Sequence, residues 1–272
     1  MATTAGMQGV IGQAALPSVF VSHGTPMVAL QDDAFTQALA GFFEAIPRPV
    51  GIVVISAHWQ SAGPLQITAA PRQRAIHDYR GFPEELHAVT WTPPGSPELA
   101  LQVSSLLAAE NFQSTLNPSR GLDHGAWVPL RIGFPGAEVP VVQLSLPLPG
   151  GAAEALRMGK ALRELRREGV LLVGSGGAVH NLQKIRWHGK DGPPAPFAEA
   201  FKGWLLPRLE QGKISELLRF EEAPGASEAQ PSPEHLLPMF VTLGASLPED
   251  RFRLIFDGYS YWSLSMLSFC LG

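Results

Sequence analysis

The feature that most constrains this chain is an alternation. Short β-branched and apolar runs stop abruptly at Gly, Ser or His, and segments with the 3.6-residue period of helices separate them. Pro17–Ser22 (PSVFVS), Val50–Ser56 (VGIVVIS), Val139–Leu146 (VPVVQLSL) and Gly169–Gly174 (GVLLVG) read as buried strands, with weaker ones at Leu65–Ala69 and Arg253–Asp257. Between them the period predicts helices over Asp33–Ala45, Pro97–Glu110, Ala152–Glu168 and Pro196–Gln211, a short one over Ser215–Phe220, and another from Pro233 to Leu243. Near-continuous apolar strands joined through helices imply an α/β fold: a mostly parallel or mixed central sheet flanked by helices. No repeat and no dividing linker interrupts this rhythm, so residues 1–272 are expected to form a single domain. Ala70–Pro97 and the polar stretch Glu221–Ser232 are expected as loops. The apolar segment Tyr261–Leu271, interrupted by Ser263, Ser265 and Ser268, is expected to pack on the body or on a second copy in a homo-oligomer.

Composition narrows the function. Apolar residues make up 45% of the chain, enough for a sizeable core. The charge sum of −4 offers no broad positive field to phosphate backbones or anionic lipid, which argues against nucleic acid as a partner. The single cysteine, Cys270, permits neither an intramolecular disulfide nor a thiolate metal site, so any metal falls to His, Asp or Glu. No stretch reaches the roughly 18 uninterrupted apolar residues of a spanning helix, and Met1–Leu16 lacks the basic start and apolar block of a leader. The expectation is a cytoplasmic protein with no membrane partner.

Eight histidines are present, and their placement is informative. His23 follows a predicted strand in VFVSHGTP, His58 follows one in VVISAHW, and His180 closes LLVGSGGAVH. Any one of them reads equally as a satisfied histidine at a strand end. Three at the carboxyl edge of one sheet are compatible with a shared cation, because ligands bind at that edge in open α/β sheets. Trp59, beside His58, is either core or a wall that stacks on a planar ligand. Gly174, Ser175, Gly176 and Gly177 lack the Lys of a phosphate loop, and a close backbone approach near His180 explains them better. His124 lies in RGLDHGAWVPL after Asp123, a candidate helix cap. Glu234 and His235 open a predicted helix, where adjacent positions point about 100° apart, so one of the two, not both, is expected to face a given metal. His77 and Tyr79 lie in a loop, HDYRGFPEELH, able to close over a planar ligand, whereas His87 and His188 read as solvated decoration.

Seven segments together are recognisable: SHGTPM (22–27), ISAHW (55–59), HDYRGFPEEL (77–86), GLDHGAWVPL (121–130), GSGGAVHNL (174–182), PEHLLPM (233–239) and YWSLSMLSF (261–269). In this order the chain resembles the class III extradiol ring-cleavage dioxygenases, in their 4,5-DOPA dioxygenase-like branch. The resemblance implies a metal site at the strand carboxyl ends, holding non-haem Fe(II) as the working ion or Zn(II), especially as purified. It also implies O2-dependent opening of a catechol ring. His23 and His58 match two metal ligands, His180 the catalytic acid/base, and His124 a second active-site histidine near substrate and oxygen. Related enzymes use a Glu as third ligand; this branch places a His there, here His235, with Glu234 as the alternative. Trp59, His77 and Tyr79 fall on the substrate side. Tyr79, Arg80 and His87 depart from the family's pattern, which bears on the ring substituents accepted. A different class remains open on the residues alone: a zinc-dependent hydrolase with the same histidines and Glu234 as general base. A third is a binding module that keeps the pocket without turnover.

Overall fold

The computed structural model describes residues 14–187 and 193–272. His188 and most of the stretch inspected for a leader lie outside the described residues.

The apolar runs form strands because both sides of the sheet are covered. In β2 (Gly51–Ser61), Val53 and Ile55 face one hydrophobic cluster while Ile52 and Val54 face another, so no polar alternation is left in the sequence. With β1 (Ser18–Ser22), β3 (Leu65–Thr68), β4 (Ser114–Asn117), β5 (Val141–Pro147), β6 (Val170–Gly176), β7 (Phe252–Phe256) and β10 (Ser268–Leu271) it builds one sheet, ordered β4-β3-β5-β2-β6-β1-β10-β7. The centre, β5-β2-β6-β1, is parallel; β3 and β10 run antiparallel to their central neighbours. A two-stranded ribbon, β8 (Tyr259–Ser260) with β9 (Leu264–Ser265), stands apart.

Helices α1 (Ala34–Ala45) and α4 (His124–Gly133) cover one face; α3 (Pro97–Ala109), α5 (Ala152–Leu162), α6 (Pro196–Glu210) and α9 (Leu237–Gly244) cover the other. Their starts obey local chemistry. Asp33 caps α1 in a reciprocal box with Thr36, Ser96 caps α3 ahead of Pro97, and Asp123 caps α4. Among the described residues no helix is long and apolar enough to cross a membrane.

The register brings the site's supports level. Ser22 stands opposite Gly176 across β1/β6, and Ser56 opposite Ser175 across β2/β6. Where the structure departs from expectation, the reasons are local. The second strand continues to Ser61, but its ladder to β5 breaks between Ile55 and Gln60, so His58 lies inside an irregular stretch instead of after the strand. The helix expected to Glu168 tightens into a 3-10 turn at Arg163–Glu168. The helix expected from Pro233 is split into a 3-10 turn, Pro233–His235, and α9. The short helix expected over Ser215–Phe220 is α7 (Ile214–Leu217), and the expected loops hold short helices, α2 (Glu84–His87) and α8 (Ala226–Ala229). The segment Tyr261–Leu271 supplies β10, inserted between β1 and β7. Its serines are not interruptions: Ser268 Oγ accepts the Ser22 N–H at 3.1 Å and Ser22 Oγ donates to the Leu267 carbonyl at 2.7 Å. Arg166, fully buried, joins the same region by donating to both Asp250 carboxylate oxygens and to the carbonyls of Leu16, Ala245 and Leu271.

Candidate metal centre

β1 ends at Ser22, and Gly24, at φ +70°, turns the chain away so that the buried His23 ring stays over the sheet edge. The bulged end of β2 directs His58 to the same place, with the two Nε2 atoms 3.1 Å apart. Two nitrogens each about 2.1 Å from one ion lie about 3.0–3.4 Å apart at right-angled to tetrahedral geometry. The 3-10 turn Pro233–His235 brings the third ring. It sits there because β6 carries no side chain at Gly176, where a Cβ would overlap the His235 carbonyl, and because Gly177 N–H donates to that carbonyl at 2.8 Å. One ring nitrogen from each of His23, His58 and His235 lies within 4.8 Å of the others.

Hydrogen-bond partners assign the tautomers. Ser175 donates its O–H to the Gly125 carbonyl, so its oxygen accepts from His23 Nδ1 at 3.0 Å. His235 Nδ1 donates to Glu234 Oε1 at 3.2 Å. His23 and His235 therefore keep Nε2 unprotonated, and His235 Nε2 is buried with no hydrogen-bond partner. An orphaned, buried imidazole nitrogen is costly unless something binds it. Burial, aided by the neighbouring rings, lowers His23 well below its ordinary pKa and takes His58 to about 2; burial also lowers His235. All three rings are neutral at pH 7 and need shed no proton to ligate a cation. This donor set fits a divalent transition metal.

Two further imidazoles complete the cluster. His180 stacks on His235 with centroids 3.4 Å apart and planes 6° from parallel. Burial first, then the neighbouring His235, lowers its pKa to about 3. The His124 ring centroid lies 4.0 Å from that of His58. One Asp78 oxygen accepts both its backbone N–H, at 3.0 Å, and its Nδ1–H, at 2.9 Å. Burial pushes the Asp78 carboxyl up, but the His124 hydrogen bond and charge outweigh it and leave it at about 2.

The family described as the catalytic LigB subunit of aromatic ring-opening dioxygenase matches residues 17–266. The chain belongs to the LigB family. A 4,5-DOPA dioxygenase extradiol of Escherichia coli (strain K12) is 38% identical over 267 residues, covering 97% of each chain. A protein of the same name from Beta vulgaris is 38% identical over 260 residues, covering 92% of this chain and 93% of its own. A crystal structure of an uncharacterized protein from Escherichia coli K12 superposes with a TM-score of 0.81 at 36% identity, covering 94% of this chain and all of that one. As a LigB dioxygenase, the protein is a metal-dependent enzyme that opens an aromatic ring with O2. The hydrolase reading is set aside by this membership.

Within this LigB chain, Glu234 is not among the grouped ligand atoms; its carboxylate receives His235 Nδ1 and Ser232, and the His235 hydrogen bond holds it at about 2. The Tyr79 and His124 rings meet nearly at right angles with centroids 5.7 Å apart, while the Tyr79 hydroxyl, pushed up to about 12 by burial, donates to the Leu86 carbonyl. Trp59 and His77 line a cavity, and His77 meets Tyr79 with ring centroids 5.7 Å apart. His87 is exposed, as expected. The functional glycines approach the His235 turn as much as His180. Sequence reasoning missed Asp78 and Ser175 as supports and Gly125 as a spacer, although all three lie inside segments it had singled out.

Proposed function

We propose that the chain is one catalytic domain, 1–272, that opens catechols bearing a DOPA-like side chain, with Fe(II) held by His23, His58 and His235. The observation that carries this reading is the pair of inward-facing, unprotonated nitrogens, one of them orphaned at His235 Nε2, with the neutral His180 ring stacked 3.4 Å away. The names of the relatives supply the substrate class. Bound at these nitrogens, ferrous iron supplies the electron path between a catecholate and O2 that ring opening requires. An all-imidazole set leaves the centre one charge more positive than one containing a carboxylate, which favours the catecholate.

The chain's own residues manage protons. His180, neutral and hydrogen-bonded to no other side chain among the described residues, accepts the proton of one catechol hydroxyl and returns it as the ring opens. His124 presents Nε2 as an acceptor because Nδ1–H is committed to Asp78. It takes a hydrogen bond from the second hydroxyl, and once protonated it donates toward oxygen with its charge balanced by Asp78. Glu234 and Ser175 keep the ligand tautomers correct.

The test is reconstitution with Fe(II) without air, addition of a catechol, then admission of O2. The expected result is a yellow ring-opened semialdehyde with stoichiometric O2 uptake. No product from any of a panel of catechols overturns the reading. His180→Ala that holds metal and keeps full turnover removes the base assignment, and His235→Ala that binds metal as well as the unaltered chain removes the third ligand.

A further inference from the structure

A cavity of about 530 Å³ is lined by residues that include Trp59, Arg74, His77, Asn117, Arg120 and Gly121, and by no acidic side chain. Its volume is that of a small-molecule site. Ring contacts link it to the cluster: His77 on its lining meets Tyr79 with centroids 5.7 Å apart, and Tyr79 meets His124 at 5.7 Å.

The cavity is built to present positive charge. Asn117 Oδ1 accepts the N–H groups of Ser119 and Arg120, fixing the turn that projects Arg120. The Arg120 guanidinium lies over the Trp59 indole, 4.4 Å from its centroid. One of its NH2 groups donates to the buried Asp123 Oδ2 at 3.3 Å, and Asp123 also accepts from the Ala126 N–H and from Gln143, which holds the guanidinium in place. Arg74 opens onto the same space with no side-chain hydrogen bond or ion pair among the described residues. Two guanidiniums on one cavity, Arg120 stacked on the Trp59 wall and Arg74 without a side-chain partner among the described residues, form a receptor for a planar anion, for which guanidinium geometry is suited.

We infer that this cavity is a carboxylate-recognition subsite: Arg120 and Arg74 pair with a carboxylate on the side chain of the ring-opening substrate, and Trp59 supports the intervening carbons. This deepens the proposed function and rests on it.

The test compares 3-(3,4-dihydroxyphenyl)propionate with its carboxamide on the Fe(II)-loaded enzyme, and measures binding of 3-phenylpropionate by calorimetry. The expected KM preference for the carboxylate is about 10-fold or more, the usual size of a charged hydrogen-bonded contact. Arg120→Gln and Arg74→Gln each shrink that ratio and weaken phenylpropionate binding. Arg120→Lys, which keeps the charge and its packing on Trp59, retains part of both and guards against misfolding, with Tm as the check on each variant. Phenylpropionate is expected to compete with the catechol carboxylate; a non-competitive pattern, marking a separate carboxylate ligand, overturns the substrate assignment. Equal KM values for acid and amide with ring opening intact overturn the subsite and leave the dioxygenase reading standing. Arginine-dependent phenylpropionate binding without opening of any catechol does the reverse: it supports a carboxylate site and overturns the catechol reading on which its substrate role depends.

Discussion

Gly125 opens α4 where the helix passes closest to the metal-ligand candidates, and a single methyl there tests the cluster's geometry. A Cβ on this residue would overlap Ser56 Oγ and lie 2.9 Å from His58 Cδ2 and 3.1 Å from His23 Cε1. Restoring an ordinary 3.4 Å contact requires the His58 ring to withdraw by 0.5 Å (3.4 − 2.9) and the His23 ring by 0.3 Å (3.4 − 3.1). Metal–ligand distances tolerate only about 0.2 Å. Ser56 cannot simply rotate away, because its hydroxyl oxygen accepts the His58 N–H at 3.2 Å. Gly125→Ala should therefore lose metal affinity well beyond its stability cost, which for overpacking is about 1–3 kcal/mol, or roughly 2–6 °C in Tm for a chain of this size. Competition against a calibrated chelator gives the affinity, and thermal unfolding of the metal-free protein gives the cost. Gly41→Ala and Gly203→Ala, helical glycines whose Cβ would meet nothing within 4 Å, are the controls and should gain about 0.5–1 kcal/mol. Gly125→Ala with unaltered metal affinity and Tm would falsify the packing argument.

Buried His58 and His180 titrate at about 2 and 3, and His23 and His235 are also lowered, all against an unfolded value near 6.5. Unfolding thus takes up protons below about pH 6.5: stability is full above that pH and is lost as pH falls toward the folded values, by about 1.4 kcal/mol per pH unit for each histidine. The urea midpoint of metal-free protein should drop between pH 7.5 and 5.5, and equal midpoints would contradict the burial of neutral rings. Asp78→Asn keeps an oxygen for the His124 N–H but removes the charge behind its ring; kcat should fall about 100-fold with metal content unchanged, and an undiminished kcat refutes the Asp78 role. Arg166→Met leaves Asp250 and the carbonyls of Leu16, Ala245 and Leu271 without their donor, and should lower Tm on the order of 10 °C for a loss of about 3–5 kcal/mol. An unchanged Tm shows that water or a neighbour replaces it.

The central strands were legible because burial on both faces leaves an uninterrupted apolar run, and His23 and His180 follow from where such runs stop. His58 was placed correctly at the sheet edge but wrongly after the strand, since a broken ladder carries no signature in AHWQS. β10 was hidden by serines that look like breaks and become acceptable only when Ser22 supplies the partner. The position of His235 depends on the absent side chain at Gly176, and Asp78 reaches His124 across 46 positions; neither proximity is encoded locally. Trp59 reads from sequence as either core or wall, and it is both: buried, beneath the Arg120 cation, at a cavity wall.

The insertion of β10 beside β1 has a consequence for biogenesis. The strand that delivers His23 closes its second flank against residues 246 positions downstream, so this edge is sealed only after nearly all of the chain has emerged. Nascent or nicked molecules short of Ser268–Leu271 would present β1 as an open ladder next to a half-assembled ring of imidazoles, a template for intermolecular pairing. Quality control in the cell and metal loading should then be coupled, with metal acquired after the sheet has closed.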